Sequence, residues 1–179
     1  MVDGTLTPEL LQAYLRAVVR IRLLDGKVLT ITPATLPPEG AGREVDLGMG
    51  PLSLLRARRV DVLTAANPLG VPASDAVNLA NLARLRVALR QRGVEEIDLR
   101  PALGRAPRGH ERWVEPSLAL LDVPDALVVV HARIHRQLGW YRWDRRGWRL
   151  HVTGDPANER LIPAVGRVSR VSEPLDDGP

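Results

Sequence analysis

Glu115 is the residue whose surroundings in the sequence most resemble an acid–base site: it follows a loop carrying Arg105, Arg108, His110, Arg112 and Trp113, and Ser117 lies two positions on. A carboxylate in a half-buried cleft can have its pKa raised toward neutrality, which would let Glu115 act as a general acid or base with His110 or Ser117 beside it. The plainer reading has Glu115 capping backbone amides or pairing with Arg100 or Arg112 to hold the loop. It carries more weight, because structural ion pairs perturb carboxylates as well. The same predicted sheet edge holds no second carboxylate, which disfavours a paired-acid hydrolase.

Two further groupings have the right residue types. His131 and His135 are four apart on a predicted helix, a spacing that aims two imidazoles at one metal, but Ala132 stands where a zincin helix has its glutamate. Ordinary core-edge and surface histidines are the better account, and no metal site is assigned. Trp140, Tyr141 and Trp143 interleave with Arg142, Arg145, Arg146 and Arg149, as a stacking platform for single-stranded nucleic acid would require. Strand alternation sends Trp140 and Arg142 one way and Tyr141 and Trp143 the other, so packing within the sheet takes precedence. The sequence has no Gly-rich phosphate loop, no Walker pattern and no Ser-His-Asp order, and no cofactor is implied.

These residues are positioned by an alternating pattern of elements. Thr7 and Pro8 start a short helix reaching Val18, with Leu11, Leu15 and Val18 on one stripe. Arg20–Leu24 and Lys27–Thr32 form a hairpin around Asp25-Gly26, which tolerates the positive φ angles of a tight turn. Pro33–Gly50 reads as a surface loop, followed by a weak helix over Leu52–Arg58. Strands are predicted at Val60–Ala65, Val94–Leu99, Pro116–Leu121 and Leu138–Trp143, with helices from Ser74 to about Arg92 and from Pro124 to about Arg136. This is the order of a ferredoxin-like split β-α-β-β-α-β core, giving an α+β fold. The N-terminal helix and hairpin are additions, and Trp148–Thr153 extends the last strand as a C-terminal hairpin. Residues 1–154 are read as one domain and 155–179 as a mobile C-terminal tail rich in Pro, Gly, Ser and charge.

In that topology the turn at Asn67-Pro68, the helix start at Ser74 and Asn78, Arg100, Glu115, Ser117 and Gln137 share one edge. Asn78 lies on the helical stripe of Leu82, Leu85 and Leu89, so its amide points at the sheet and needs partners, which Asn67 or Glu115 can supply.

The same residues carry a resemblance. Asn67-Pro68, the helix bearing Asn78 and Leu85, Trp113-Val114-Glu115-Pro116-Ser117 and Gln137 resemble the motifs of a bacterial family, the domain of unknown function 3293 family, over roughly Leu10 to Trp143. The family pattern has an aromatic before the Asn-Pro turn and Glu and Arg-Asn in the helix, where this chain has Ala66, Val77 and Asn81-Leu82. The resemblance brings no established activity. It marks Asn67, Asn78, Glu115 and Ser117 as recurring positions.

Composition sets the remaining expectations. The 179 residues contain no cysteine, which excludes disulfides and thiolate chemistry and fits a reducing cytoplasm. The apolar run Leu10–Leu24 is broken by Arg16, Arg20 and Arg22, so neither a signal peptide nor a membrane span is read. Net charge is +4, with 24 of the 25 basic residues arginine; from Arg84 to Arg149 there are 14 basic and 8 acidic residues. Clustered cations suit phosphate. The leading expectation is therefore a non-catalytic binding module recognising a nucleic acid or nucleotide through Asn67, Asn78, Arg100, Arg112, Trp113, Glu115, Ser117 and Gln137. A small enzyme using Glu115 and a protein-partner-binding domain are the alternatives.

Overall fold

Thr7 caps the first helix, α1 (Pro8–Arg16), its hydroxyl accepting from Leu10 N, and Pro8 occupies the first turn where no donor is needed. The hairpin that follows pairs β1 (Val18–Arg22) with β2 (Val28–Pro33), Gly26 taking φ +78 in the turn. The computed structural model describes residues 6–34, 43–45, 50–105 and 114–170. Along the chain it continues with β3 (Arg43–Val45), α2 (Gly50–Leu55), β4 (Val60–Thr64), α3 (Asp75–Gln91), β5 (Leu99–Arg105) and β6 (Val114–Leu121). It closes with α4 (Asp125–Ile134), β7 (Gly139–Asp144), β8 (Gly147–Val152), β9 (Asp155–Leu161) and β10 (Ala164–Ser169).

All ten described strands join one antiparallel sheet in the order β3-β10-β2-β1-β5-β6-β4-β7-β8-β9. The last two strands force it to curl. β9 and β10 are eight places apart in that order, roughly 38 Å if the sheet were flat, yet only Ile162 and Pro163 join them. Two hydrogen bonds stitch the junction, Ile162 N to Trp148 O at 2.9 Å and Ala34 N to Pro163 O at 2.8 Å.

Curling gives the sheet two cores. The inner face holds Val19, Ile21, Leu29, Ile31, Val62, Ala119, Tyr141, Trp143, Trp148 and Leu150, with Leu52 and Leu55 of α2 packed in and Leu11, Tyr14 and Leu15 of α1 against it. On the outer face Leu63, Leu99, Leu118, Leu120 and Trp140 meet Leu85 and Leu89 of α3 and Val128 and Ala132 of α4. Among the described residues no helix is long and apolar enough to cross a membrane.

The ferredoxin-like expectation is overturned. The strand adjacency it implied is present, since β5-β6-β4-β7 are consecutive and antiparallel. Those strands are the middle of a ten-stranded curled sheet, however, with β1 hydrogen-bonded to β5 and β8 to β7. The N-terminal hairpin belongs to the sheet and to its inner core, into which β2 sends Leu29 and Ile31, with Thr30 and Thr32 buried on the other face. The second strand of the unit is also displaced, from the expected Val94–Leu99 to Leu99–Arg105. Pro101 is accommodated because the recorded pairing with β1 begins only at Ala102, and a strand proline needs a position without a ladder donor. Within the expected tail, residues 155–161 and 164–169 form β9 and β10, while 171–179 lie outside the described residues.

Candidate functional site

At the end of β4 the chain makes a turn built on amides. Thr64 donates its hydroxyl to Pro116 O (2.9 Å) and accepts from Ala66 N (2.9 Å), tying the strand end to β6. Asn67 then adopts the left-handed conformation, φ 46 and ψ 58, which asparagine reaches more readily than most residues. Its Oδ1 accepts from Ala73 N (3.0 Å) and Asn78 Nδ2 (3.1 Å), and its own N–H donates to Asn78 Oδ1 (2.9 Å). Asn67 Nδ2 is left to donate to Glu115 Oε1 at 3.0 Å. Gln137 braces the turn from below, donating Nε2 to Ala66 O (2.8 Å) and His135 O (3.1 Å), while Leu69, also at positive φ (59), donates its N–H to Arg136 O (2.8 Å).

Glu115 is thereby held at a cleft between α1 and the inner face of the sheet. Its enclosed space is small, about 40 Å³, and its wall is largely apolar, with Ala13, Ala17, Val19 and Val62 alongside Tyr14 and Tyr141. Arg105, Ser117 and Thr64 complete the polar part of the lining. Tyr141 donates its hydroxyl to Tyr14 O (2.7 Å), and the two rings lie 6.0 Å apart. Burial, reinforced by the negative charge of Glu115, pushes the ionisation of both phenols upward. Trp148 stacks on Tyr141 at 5.0 Å and keeps that wall rigid. Ser117 Oγ donates to the Glu115 carbonyl at 3.0 Å, so it serves the backbone of the strand.

The structure thus brings together Asn67, Asn78, Glu115, Ser117 and Gln137, although only Glu115 and Ser117 line the cleft. Asn78 and Gln137 are buried fasteners. Arg100 is a correction. It is the second residue of β5, opposite Ala119, while Gly104 is the residue opposite Glu115. Four strand positions, roughly 13 Å, separate the two pairs, because the strand begins where it was expected to end. Arg108, His110, Arg112 and Trp113 lie outside the described residues.

His131 and His135 stack with ring centroids 6.1 Å apart, and burial lowers the pKa of both. Among the described residues no group of three or more His, Asp or Glu side chains is placed to hold a metal ion. The Trp140–Trp143 stretch alternates as expected, Trp140 in the outer core and Tyr141 and Trp143 in the inner one.

Sequence reading missed two groups. Tyr14 lies on the same α1 stripe as Leu11 and Leu15, a spacing that marks it as facing the sheet. Asp61, fully buried between Val60 and Val62, accepts from Arg142 Nε (2.7 Å) and Trp140 Nε1 (3.1 Å) and pairs with Arg59 Nε (3.0 Å). A charged residue inside an otherwise apolar strand was its signal.

A curled antiparallel sheet with helices packed on it and an amide-clamped carboxylate at a cleft is the class these observations define. Residues 63–138 match the profile of a family described as "Protein of unknown function (DUF3293)". The match contains Asn67, Asn78, Glu115, Ser117 and Gln137. It leaves out α1 and Tyr141, which form the opposite wall, and is narrower than the span over which the motifs resemble the family. No curated protein and no solved structure matches the chain.

Proposed function

We propose that the chain is a non-catalytic binding module whose cleft takes a compact, largely apolar small molecule with a cationic or hydrogen-bond-donating head directed at Glu115. The observation that carries this reading is the Asn67 Nδ2 to Glu115 Oε1 hydrogen bond, which fixes a carboxylate at the edge of a cleft otherwise lined mainly by Ala, Val and Tyr. Apolar walls with a few oriented polar groups are what small-molecule sites share. The chemistry favours a donor over the phosphate expected from the sequence, since Glu115 repels an anion, Arg100 belongs to the far end of the sheet, and Arg105, the arginine in the lining, is exposed and follows Gly104, the residue that shares the face of Glu115. Acid–base catalysis has weaker support, because Ser117 is engaged with a backbone carbonyl.

Thermal stabilisation by a panel of small apolar amines, compared with the isosteric neutral alkanes, tests the reading. A ligand at 100 times its Kd should add about 2.7 kcal/mol, and Glu115→Gln should abolish the gain while leaving the circular dichroism spectrum unchanged. Equal responses of amines and alkanes, or of wild type and variant, would reject it.

A further inference from the structure

The outer face of the sheet is covered unevenly. α3 packs its Leu85 and Leu89 over β6, where Leu118 and Leu120 receive them. Beyond that line a second groove of about 800 Å³ opens between α3 and β5, floored by Leu82, Pro101, Leu103 and Pro116, with Ala83 exposed at its lip.

Cations border this groove on both sides. Arg86 of α3 lines it directly and also faces Glu96 at 3.4 Å. On the sheet side Arg20 of β1 is the register partner of Leu103, so its side chain leaves the same face, and Arg22, two residues on, does likewise. Among the described residues neither Arg20 nor Arg22 has a carboxylate within ion-pair distance, in contrast to Arg59, Arg142, Arg146 and Arg149. Beyond Arg20 the face continues through Thr30, its partner on β2. Among the described residues the groove and its border hold no aromatic side chain on which a base could stack.

We infer that this groove is a docking site for an acidic amphipathic peptide segment of another protein, its apolar side chains seated on Leu82, Pro101 and Leu103 and its carboxylates meeting Arg20 and Arg22. Charge complementarity selects that occupant. An apolar floor with cationic margins matches a segment combining both features, whereas nucleic acid would use the arginines but gain little from leucine and proline. The inference is independent of the cleft on the inner face, since the two open on opposite sides of the sheet.

Fluorescence anisotropy of the full chain with a labelled synthetic peptide carrying Leu on one helical face and Glu on the other is the test. Saturable binding that weakens with salt is expected, with at least about a tenfold loss of affinity in the Arg20→Glu/Arg22→Glu double variant and a similar loss in Ala83→Glu. Ala83 is exposed, so that variant keeps the test valid if the arginine pair proves important for folding. A peptide with Lys in place of Glu should not bind. Absence of binding at low salt, indifference to both variants, or preferential binding of a single-stranded oligonucleotide that needs Arg20 and Arg22 but ignores Ala83→Glu would each overturn the inference. Glu115→Gln should leave the peptide affinity unchanged.

Discussion

Asp61 and Glu115 are both carboxylates drawn into the sheet, yet their surroundings differ in kind. Asp61 sits on the outer face at 0% exposure, with Arg142, Arg59 and Trp140 all directed at it and Asp125 bridging the same two arginines. Burial raises its pKa, and the guanidinium groups act in the opposite direction. Glu115 is oriented by a neutral amide, and its charge reaches two buried phenols across a cleft. A carboxylate neutralised by arginines under a helix is a fastening for α4. One held by an asparagine whose other hydrogen bonds fix a turn stands instead at the edge of a cleft.

The sharpest way to break the contrast is Asp61→Ala. It removes the buried partner of Arg142 and leaves only the half-exposed Asp125; loss of one member of a buried pair costs about 3 to 5 kcal/mol, so urea unfolding should show a loss toward the lower end of that range, with a change in Trp140 fluorescence. Next, Asn67→Ala removes the Asn78, Ala73 and Glu115 hydrogen bonds together, for an expected loss of about 2 to 3 kcal/mol. Asn67→Gly, which tolerates the positive φ, should recover only the backbone share of that loss.

His151 tests the outer cluster through pH. Burial and the nearby Arg142 depress its pKa from 6.5 to about 4. As pH falls through that window the unfolded chain takes up a proton that the folded chain refuses, so stability is lost between pH 6.5 and about 4 and this contribution is flat below. The loss should be at most about 3 kcal/mol, and replacing His151 by Gln should remove that part of the slope in pH-dependent unfolding. Glu115→Gln should cost less than about 1 kcal/mol, yet let Tyr14 and Tyr141 ionise at lower pH, readable by ultraviolet titration. The smallest effect belongs to Arg146→Ala. That arginine pairs with Glu159 at 3.2 Å while 64% exposed, so unfolding should shift by less than about 1 kcal/mol.

Much of the site was legible because its signals are local. Asn67 before Pro68 announces a special turn, and Asn78 on a leucine stripe announces a buried amide seeking partners. The structure satisfies both through each other. Arg100 was misplaced because the strand was expected over Val94–Leu99 and instead begins at Leu99, its Pro101 tolerated just outside the register with β1. Tyr14 escaped notice because its wall is contributed by a helix whose docking surface the sequence does not specify.

What the sequence by itself determined is the four helices, the N-terminal hairpin and the strands β4, β6, β7 and β8, with the caps at Thr7 and Ser74, the alternation along β7 and the adjacency of β4 with β6 and β7. These follow from propensity and periodicity over a few residues. Only the tertiary structure decided that β1 and β2 join the same sheet, that β9 and β10 bend it round, and that α1 closes on its concave face to leave a cleft at Glu115. Those features depend on pairings between strands far apart in the chain, where many registers satisfy the same local pattern and the burial of a shared core selects among them.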